Sequence, residues 1–352
     1  AAHVVIDRVF PGDDWERVDF EETVNAGRVD ETLDALFGDR GDPSGISLAM
    51  VVVHRGRVVR ERYGRQPATM FGPGGPVDRD TTLISWSMAK SITHALVGIL
   101  VKEGRIDLDA PVNIAEWSDP ARASITMSDL LRMRDGLDFV EDYVVDETGD
   151  TRSDVITMLF GDGASDVARY ARARSSLRAP GSFWSYSSGT TNIICSLLGE
   201  LVGGRDEMSS FIRDRLFAPL GMTSAVPRFD EAGTFIGSSY VYATAPDFAR
   251  FGYLYLRGGR WGDRSILSDS WVSTARDMHA TSSENGHGYS WHWWNWNSRP
   301  ETMAALGYEG QRLIIDPARD LVVVHLGKWS AETQPELDRR LTSVVESFAV
   351  TE

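Results

Sequence analysis

Strand-like sequence stands at both ends of this 352-residue chain and helical sequence fills the middle, an order that few folds can satisfy. Ile46 to Tyr63 is rich in valine, and Val51-Val52-Val53-His54-Arg55-Gly56-Arg57-Val58-Val59-Arg60 reads as two strands about a turn. Pro67 to Asp80 is a Pro- and Gly-rich connection, after which helical patterning runs to about Asp230. Within it, Ile125 to Met133 sets Thr and Ser caps before an apolar stripe, and Ser209 to Leu220 carries spaced apolar residues that stop at Gly221. Strands return at Ala304–Leu306, Leu313–Ile315 and Leu321–Leu326, the last pair separated by the turn Asp316-Pro317-Ala318-Arg319-Asp320, and Pro335 to Phe348 closes as a helix. The order predicts an α/β (α+β) fold: an antiparallel sheet built from both termini and flanked by helices, with an inserted all-helical domain. The expected division is 1–90 with 235–352 as a discontinuous α/β domain and 91–234 as the helical domain, the active site lying in the cleft between them.

Bulk composition excludes several functions. A formal net charge of −15 would repel a phosphate backbone, so nucleic acid is not an expected partner. The basic run Arg55, Arg57, Arg60, Arg62 and Arg65 is read as the solvated face of a hairpin. No apolar stretch approaches the roughly 20 residues that cross a bilayer, so no membrane partner is expected. The chain opens Ala1-Ala2-His3 with neither Met nor an apolar signal, which leaves localisation open, the cytoplasm slightly favoured over export. The single cysteine, Cys195, lies in an apolar run and reads as a small buried hydrophobe. Seven scattered histidines form no ligand pattern, so neither a metal nor a cofactor is expected.

Chemistry is suggested by lysine. The chain has only three, and Lys90 stands three positions after Ser87 at the head of an apolar helical run that ends at Gly104. Side chains three apart on a helix have Cβ atoms roughly 5–6 Å from each other, within reach for an amine to take a hydroxyl proton. A Ser-x-x-Lys arises by chance often enough to need support. The loop Pro180-Gly181-Ser182-Phe183-Trp184-Ser185-Tyr186-Ser187-Ser188 supplies it, since Tyr186 and Ser188, two apart before a helix, can both face a cleft. A phenol beside a cationic lysine is expected to titrate below its usual value of about 10 and to share a proton with Ser87.

These three residues, with a late Gly-containing strand edge, resemble the signatures of the serine β-lactamase and penicillin-recognising superfamily, in its class C-like branch. Further segments in matching order carry the resemblance: Gly104–Val112, Asp135-Gly136-Leu137, Leu216–Met222 and Ala243–Gly252. The third signature departs from the pattern. Where the β-lactamases place Lys or His, then Thr or Ser, then Gly, this chain has Gly307-Tyr308-Glu309-Gly310-Gln311, and Glu309 is expected to repel a substrate carboxylate. Gly310-Gln311 with Leu313-Ile314-Ile315-Asp316-Pro317 is more similar to the nylon-oligomer (6-aminohexanoate-dimer) hydrolases and family VIII carboxylesterases. Glu141-Asp142-Tyr143 extends that likeness, with Tyr143 in the place of a tyrosine that touches the substrate amide.

The resemblance implies a serine hydrolase that cleaves small-molecule carboxylic esters or linear amides through an acyl-enzyme on Ser87. Lys90 and Tyr186 would share acid and base duty, the N–H groups of Ser87 and Gln311 would hold the oxyanion, and Tyr143, Ser188, Glu309, Gly310 and Trp291 would bind substrate. A β-lactamase or D-Ala-D-Ala peptidase is the alternative, and a non-catalytic binding protein on the same fold a third. A homodimer is compatible with the chain. The acidic residues Glu141, Asp142, Asp146, Glu147 and Asp150 are read as a solvated loop which, if it rims the cleft, favours neutral or amine-bearing substrates.

Overall fold

The computed structural model describes residues 9–38, 45–69, 72–142, 144–145 and 151–351. Helix α1 (Ala26–Phe37) precedes strands β1 (Gly45–His54) and β2 (Arg57–Tyr63). The turn between the strands is Arg55-Gly56, with φ of 52° and 80°, the paired positive dihedrals of a two-residue hairpin that suits the strand twist. Helices α2 (Ala89–Lys102), α3 (Ser188–Val202) and α4 (Ala245–Leu256) follow, with shorter helices such as Met127–Leu131, Asp154–Phe160 and Arg205–Ile212 between them. Strands β3 (Ala280–Thr281), β4 (Gly288–Tyr289), β5 (Trp294–Asn295), β6 (Met303–Gly307), β7 (Gln311–Asp316) and β8 (Leu321–Trp329) lead to α5 (Gln334–Val345).

The strands form one antiparallel sheet in the order β3-β4-β5-β6-β7-β8-β1-β2. The two ends of the chain therefore meet inside it, β1 and β8 pairing from Gly45 opposite Trp329 to His54 opposite Leu321. Both faces of the sheet are covered, which is why these strands are almost continuously apolar rather than alternating. Val51, Val53, Leu313, Ile315, Val322 and Val324 join one core with α2, α3 and α4. Met50, Val52, Ile314, Leu321 and Val323 join the other with Val29 and Leu33 of α1 and Leu337 and Leu341 of α5. Helix α4 rests close on the sheet because Gly252 has no side chain: a Cβ there would lie 2.6 Å from Leu313 Cδ1 and 2.9 Å from Val322 Cγ1.

The inserted helices share the first of these cores. Met158, Ile193, Leu198 and Phe211 belong to the same cluster as Val51 and Leu313, so apolar packing runs unbroken from the sheet into the helical segment. The arginines of the first hairpin are neutralised by neighbouring acids: Arg60 Nε lies 2.7 Å from Asp30, Arg62 3.1 Å from Asp34, Arg57 2.9 Å from Glu16 and Arg55 2.8 Å from Glu21. Cys195 is buried against Thr93, and burial pushes its thiol up to about 12. No helix among the described residues is long and apolar enough to cross a membrane.

Candidate active site

Ser87 is the central residue of a 3-10 turn, Trp86–Met88, that runs directly into α2. Trp86 has φ of +43°, a conformation that costs a non-glycine residue of order 1–3 kcal/mol and persists only where its surroundings fix it. Here the indole N–H donates to Glu309 Oε2 at 3.2 Å and the ring packs on Tyr308 and Tyr240 at centroid distances of 5.7 and 5.9 Å. The Ser85 hydroxyl ties the same turn down, donating to the carbonyls of Trp86 and Ser239 and accepting from the Val241 N–H.

The turn packs on an uncovered stretch of strand edge. β5 pairs with β6 only at Trp294 opposite Ala304, which leaves the edge at Ala305 to Gly307 open towards Ser85–Ser87. A Cβ on Gly307 would stand 2.4 Å from the Ser85 carbonyl oxygen, so glycine alone permits this approach.

Lys90, on the first turn of α2, is 2% exposed. Its Nζ donates to Ser87 Oγ at 2.9 Å, to Ser188 Oγ at 2.9 Å and to the Ser238 carbonyl at 3.1 Å, and stands 4.8 Å from the centre of the Tyr186 ring. Ser187 caps α3 by accepting from the Thr190 N–H, so Ser188 opens the helix with an N–H that has no intrahelical acceptor. Glu141 supplies one. Its two carboxylate oxygens accept separately from the Ser188 N–H and the Ser188 hydroxyl, both at 2.6 Å, at the helix end where negative charge is favoured.

These environments set the proton affinities. Burial lowers Lys90 to about 8, the negative charge of Glu141 opposing part of the shift. Tyr186 moves the other way from the expectation for a phenol beside lysine. Burial raises it far above the usual phenol range, Glu141 adds to the rise, and the hydrogen bond with Ser87 offsets only part. Burial also raises Glu141, against the pull of Lys90 and Ser188. The site thus holds a neutral phenol and an amine close to deprotonation, both beside one serine hydroxyl.

Ser87, Lys90, Tyr186 and Ser188 are brought together; other expected positions are not. Gln311 is buried in β7 between β6 and β8, its side-chain amide donating to the Gly327 and Tyr308 carbonyls and accepting from the Gly327 N–H, so it stands behind the strand that faces Ser87. Gly310, with φ of +84°, turns towards the opposite core: a Cβ there would meet Leu337 at 2.8 Å and Trp329 at 3.1 Å. Glu309 is not a free charge at the cleft, since besides Trp86 it faces Lys328 Nζ at 3.6 Å. Trp291 is buried away from Tyr186, its indole N–H on Asp277 at 3.2 Å and the Arg132 guanidinium 4.5 Å over its ring. The aromatic wall beside Tyr186 is instead Trp294 at 5.3 Å and Tyr289 at 5.8 Å, members of the same aromatic run. Tyr143, Asp146, Glu147 and Asp150 lie outside the described residues.

The residues that sequence reasoning undervalues are Glu141 and Gly307. Glu141 belongs to the acidic stretch read as a solvated loop, yet it reaches the head of α3; its neighbour Asp142 is exposed and stands beside Glu284, whose carboxyl is pushed up by burial and by the nearby acids. Among the described residues no group of three His, Cys, Asp or Glu side chains is placed to hold a metal ion.

Comparison with known proteins gives the family and the fold. The Beta-lactamase family profile matches residues 33–345. A 6-aminohexanoate-dimer hydrolase of Paenarthrobacter ureafaciens is 28% identical over 260 residues, which cover 69% of this chain and 65% of that relative. The fold is shared with a family VIII carboxylesterase (TM-score 0.71, 14% identity, 94% of this chain and 99% of that one). It is also shared with the D-amino acid amidase of Ochrobactrum anthropi SV3 (TM-score 0.64, 15% identity, 91% and 98%).

Proposed function

Because the chain belongs to the Beta-lactamase family, we propose that it is a serine hydrolase that cleaves carboxylic esters or linear amides through an acyl-enzyme on Ser87. The observation that carries this reading is the buried Lys90 amine 2.9 Å from Ser87 Oγ. With Lys90 lowered to about 8, a substantial fraction is neutral in mildly alkaline solution. That amine takes the Ser87 proton as Oγ bonds the substrate carbonyl carbon. Tyr186, held as a neutral phenol against Ser87, is the proton donor for the departing alkoxide or amine. Water then attacks the ester of Ser87 with the same groups in reverse roles.

For the oxyanion we assign the N–H of Ser87 and that of Tyr308. Tyr308 follows Gly307 on the strand edge that faces the turn, whereas Gln311 lies one strand behind it. Removing one such donor typically lowers the rate about 100- to 1,000-fold.

Substrates without a carboxylate suit the site best. The edge strand ends Ala305-Leu306-Gly307, with no side-chain cation or hydroxyl at those positions, and the acidic pair Asp142 and Glu284 lies beside Glu141. Neutral and amine-bearing esters or amides are favoured accordingly, as small molecules entering between the helical segment 91–234 and the unit formed by 1–90 and 235–352.

The test is Ser87→Ala, which should abolish hydrolysis and fluorophosphonate labelling while leaving the circular dichroism spectrum and Tm unchanged. Full activity in that variant would sink the mechanism, and labelling absent from the wild type would indicate a binding protein. A substrate panel of p-nitrophenyl esters, linear ω-amino amides and nitrocefin separates esterase, amidase and β-lactamase.

A further inference from the structure

We propose that Glu141 is a positioning residue for Lys90: anchored by Ser188 at the head of α3, its carboxylate is the counter-charge that decides when Lys90 can accept the Ser87 proton. This rests on the assignment of Ser87 and Lys90 above. The contacts form one chain, Ser87 Oγ to Lys90 Nζ at 2.9 Å, Nζ to Ser188 Oγ at 2.9 Å, and Ser188 Oγ to Glu141 Oε1 at 2.6 Å.

The geometry suits the charged form of both groups, against the burial that disfavours charge on each. Lys90 directs three N–H bonds at Ser87, Ser188 and the Ser238 carbonyl, the full set of an ammonium. Both Glu141 oxygens accept from Ser188, as an ionised carboxylate does. Ser188 bridges the two groups, accepting from the Lys90 amine and donating to the Glu141 carboxylate.

Among the described residues no other neighbour offers Lys90 a charge. The groups that face it are Tyr186 from the loop before α3, Cys195 from α3 itself and His292 from the β4–β5 connection. Burial holds the Tyr186 phenol and the Cys195 thiol protonated, the thiol at about 12, and pushes His292 down to about 3, so all three are neutral near pH 7. On the far side of Glu141, Asp142, Glu284 and the buried Tyr289 add no cation. Burial alone would drive Lys90 lower still; Glu141 opposes it and keeps the amine a competent base.

The test is the pH profile of kcat/KM, read together with the rate of fluorophosphonate labelling. Glu141→Gln keeps the size of the side chain and removes its charge. The acid limb should move down by about one unit or more, and the plateau rate should fall because a weaker base assists Ser87. Glu141→Asp, which restores the charge, should bring the limb back towards the wild-type position. An acid limb that stays in place or rises in Glu141→Gln overturns the proposal, whatever happens to the rate. If that variant does not fold, the limb in Glu141→Ala decides in the same way, since it too removes the charge. Loss of labelling in Ser87→Ala together with an unmoved limb in Glu141→Gln would refute this role for Glu141 and leave the serine hydrolase reading standing.

Discussion

A solvent-exposed lysine is a cation at neutral pH and a poor base; at 2% exposure Lys90 is neither fully charged nor free to move. Its lowered proton affinity has a definite consequence for rate. The neutral amine fraction grows as pH rises through about 8, so kcat/KM should climb along an acid limb near that value and level off above it. A stopped pH series on a p-nitrophenyl ester reads this limb, and an activity maximum in acid would contradict it. Tyr186→Phe removes the proton donor while keeping the ring against Trp294, and should lower kcat by about 100-fold or more with little change in Tm. The spacing of Ser87 and Lys90 was legible because one turn of helix joins them. Glu141 was not, because 47 residues separate it from Ser188 and an acidic tripeptide has no visible address. The tripeptide likened to the nylon-oligomer enzymes for its tyrosine carries its described contact through the glutamate.

Elements place these side chains, and glycine sets the closest approaches. Gly307 lets the edge of β6 meet the Ser85 carbonyl. Gly307→Val should therefore displace the Ser87 turn and reduce turnover far more than it reduces stability, measured as kcat beside Tm. Gly252 plays a packing role only: Gly252→Leu would push α4 off Leu313 and Val322, and overpacking of this kind costs about 1–3 kcal/mol. A lower midpoint in urea, with the per-site rate of the folded fraction retained, is the expected result. Strands β1, β2, β6, β7 and β8 and helices α2, α3 and α5 were readable from apolar runs bounded by turn residues, whereas α1, α4 and the two-residue strands β3 to β5 were not. The exact partner of each strand was not. Gln311 and Gly310 sit in a turn-rich motif whose edge looks exposed in sequence, yet pairing with both β6 and β8 puts Gln311 inside the sheet.

Across the whole molecule the first core links β1, β7 and β8 to α2, α3 and the shorter helices without a break. A chain packed in this way should unfold as one unit although its sequence divides into sheet-forming ends and a helical middle. Tryptophan fluorescence and far-ultraviolet circular dichroism should give coincident urea transitions, and two separated transitions would show that the helical segment has a core of its own. The sequence by itself determined that strands stand at both ends with helices between them and that Ser87 pairs with Lys90, both of which depend on local periodicity or on a single helical turn. The tertiary structure alone decided that Glu141 reaches Ser188, that Gly307 rather than Gly310 meets the nucleophile's turn, and that Trp294 and Tyr289 rather than Trp291 stand beside Tyr186. Those contacts join residues tens to hundreds of positions apart, and which side chains meet across such distances is fixed by sheet register and helix docking, which no local pattern encodes.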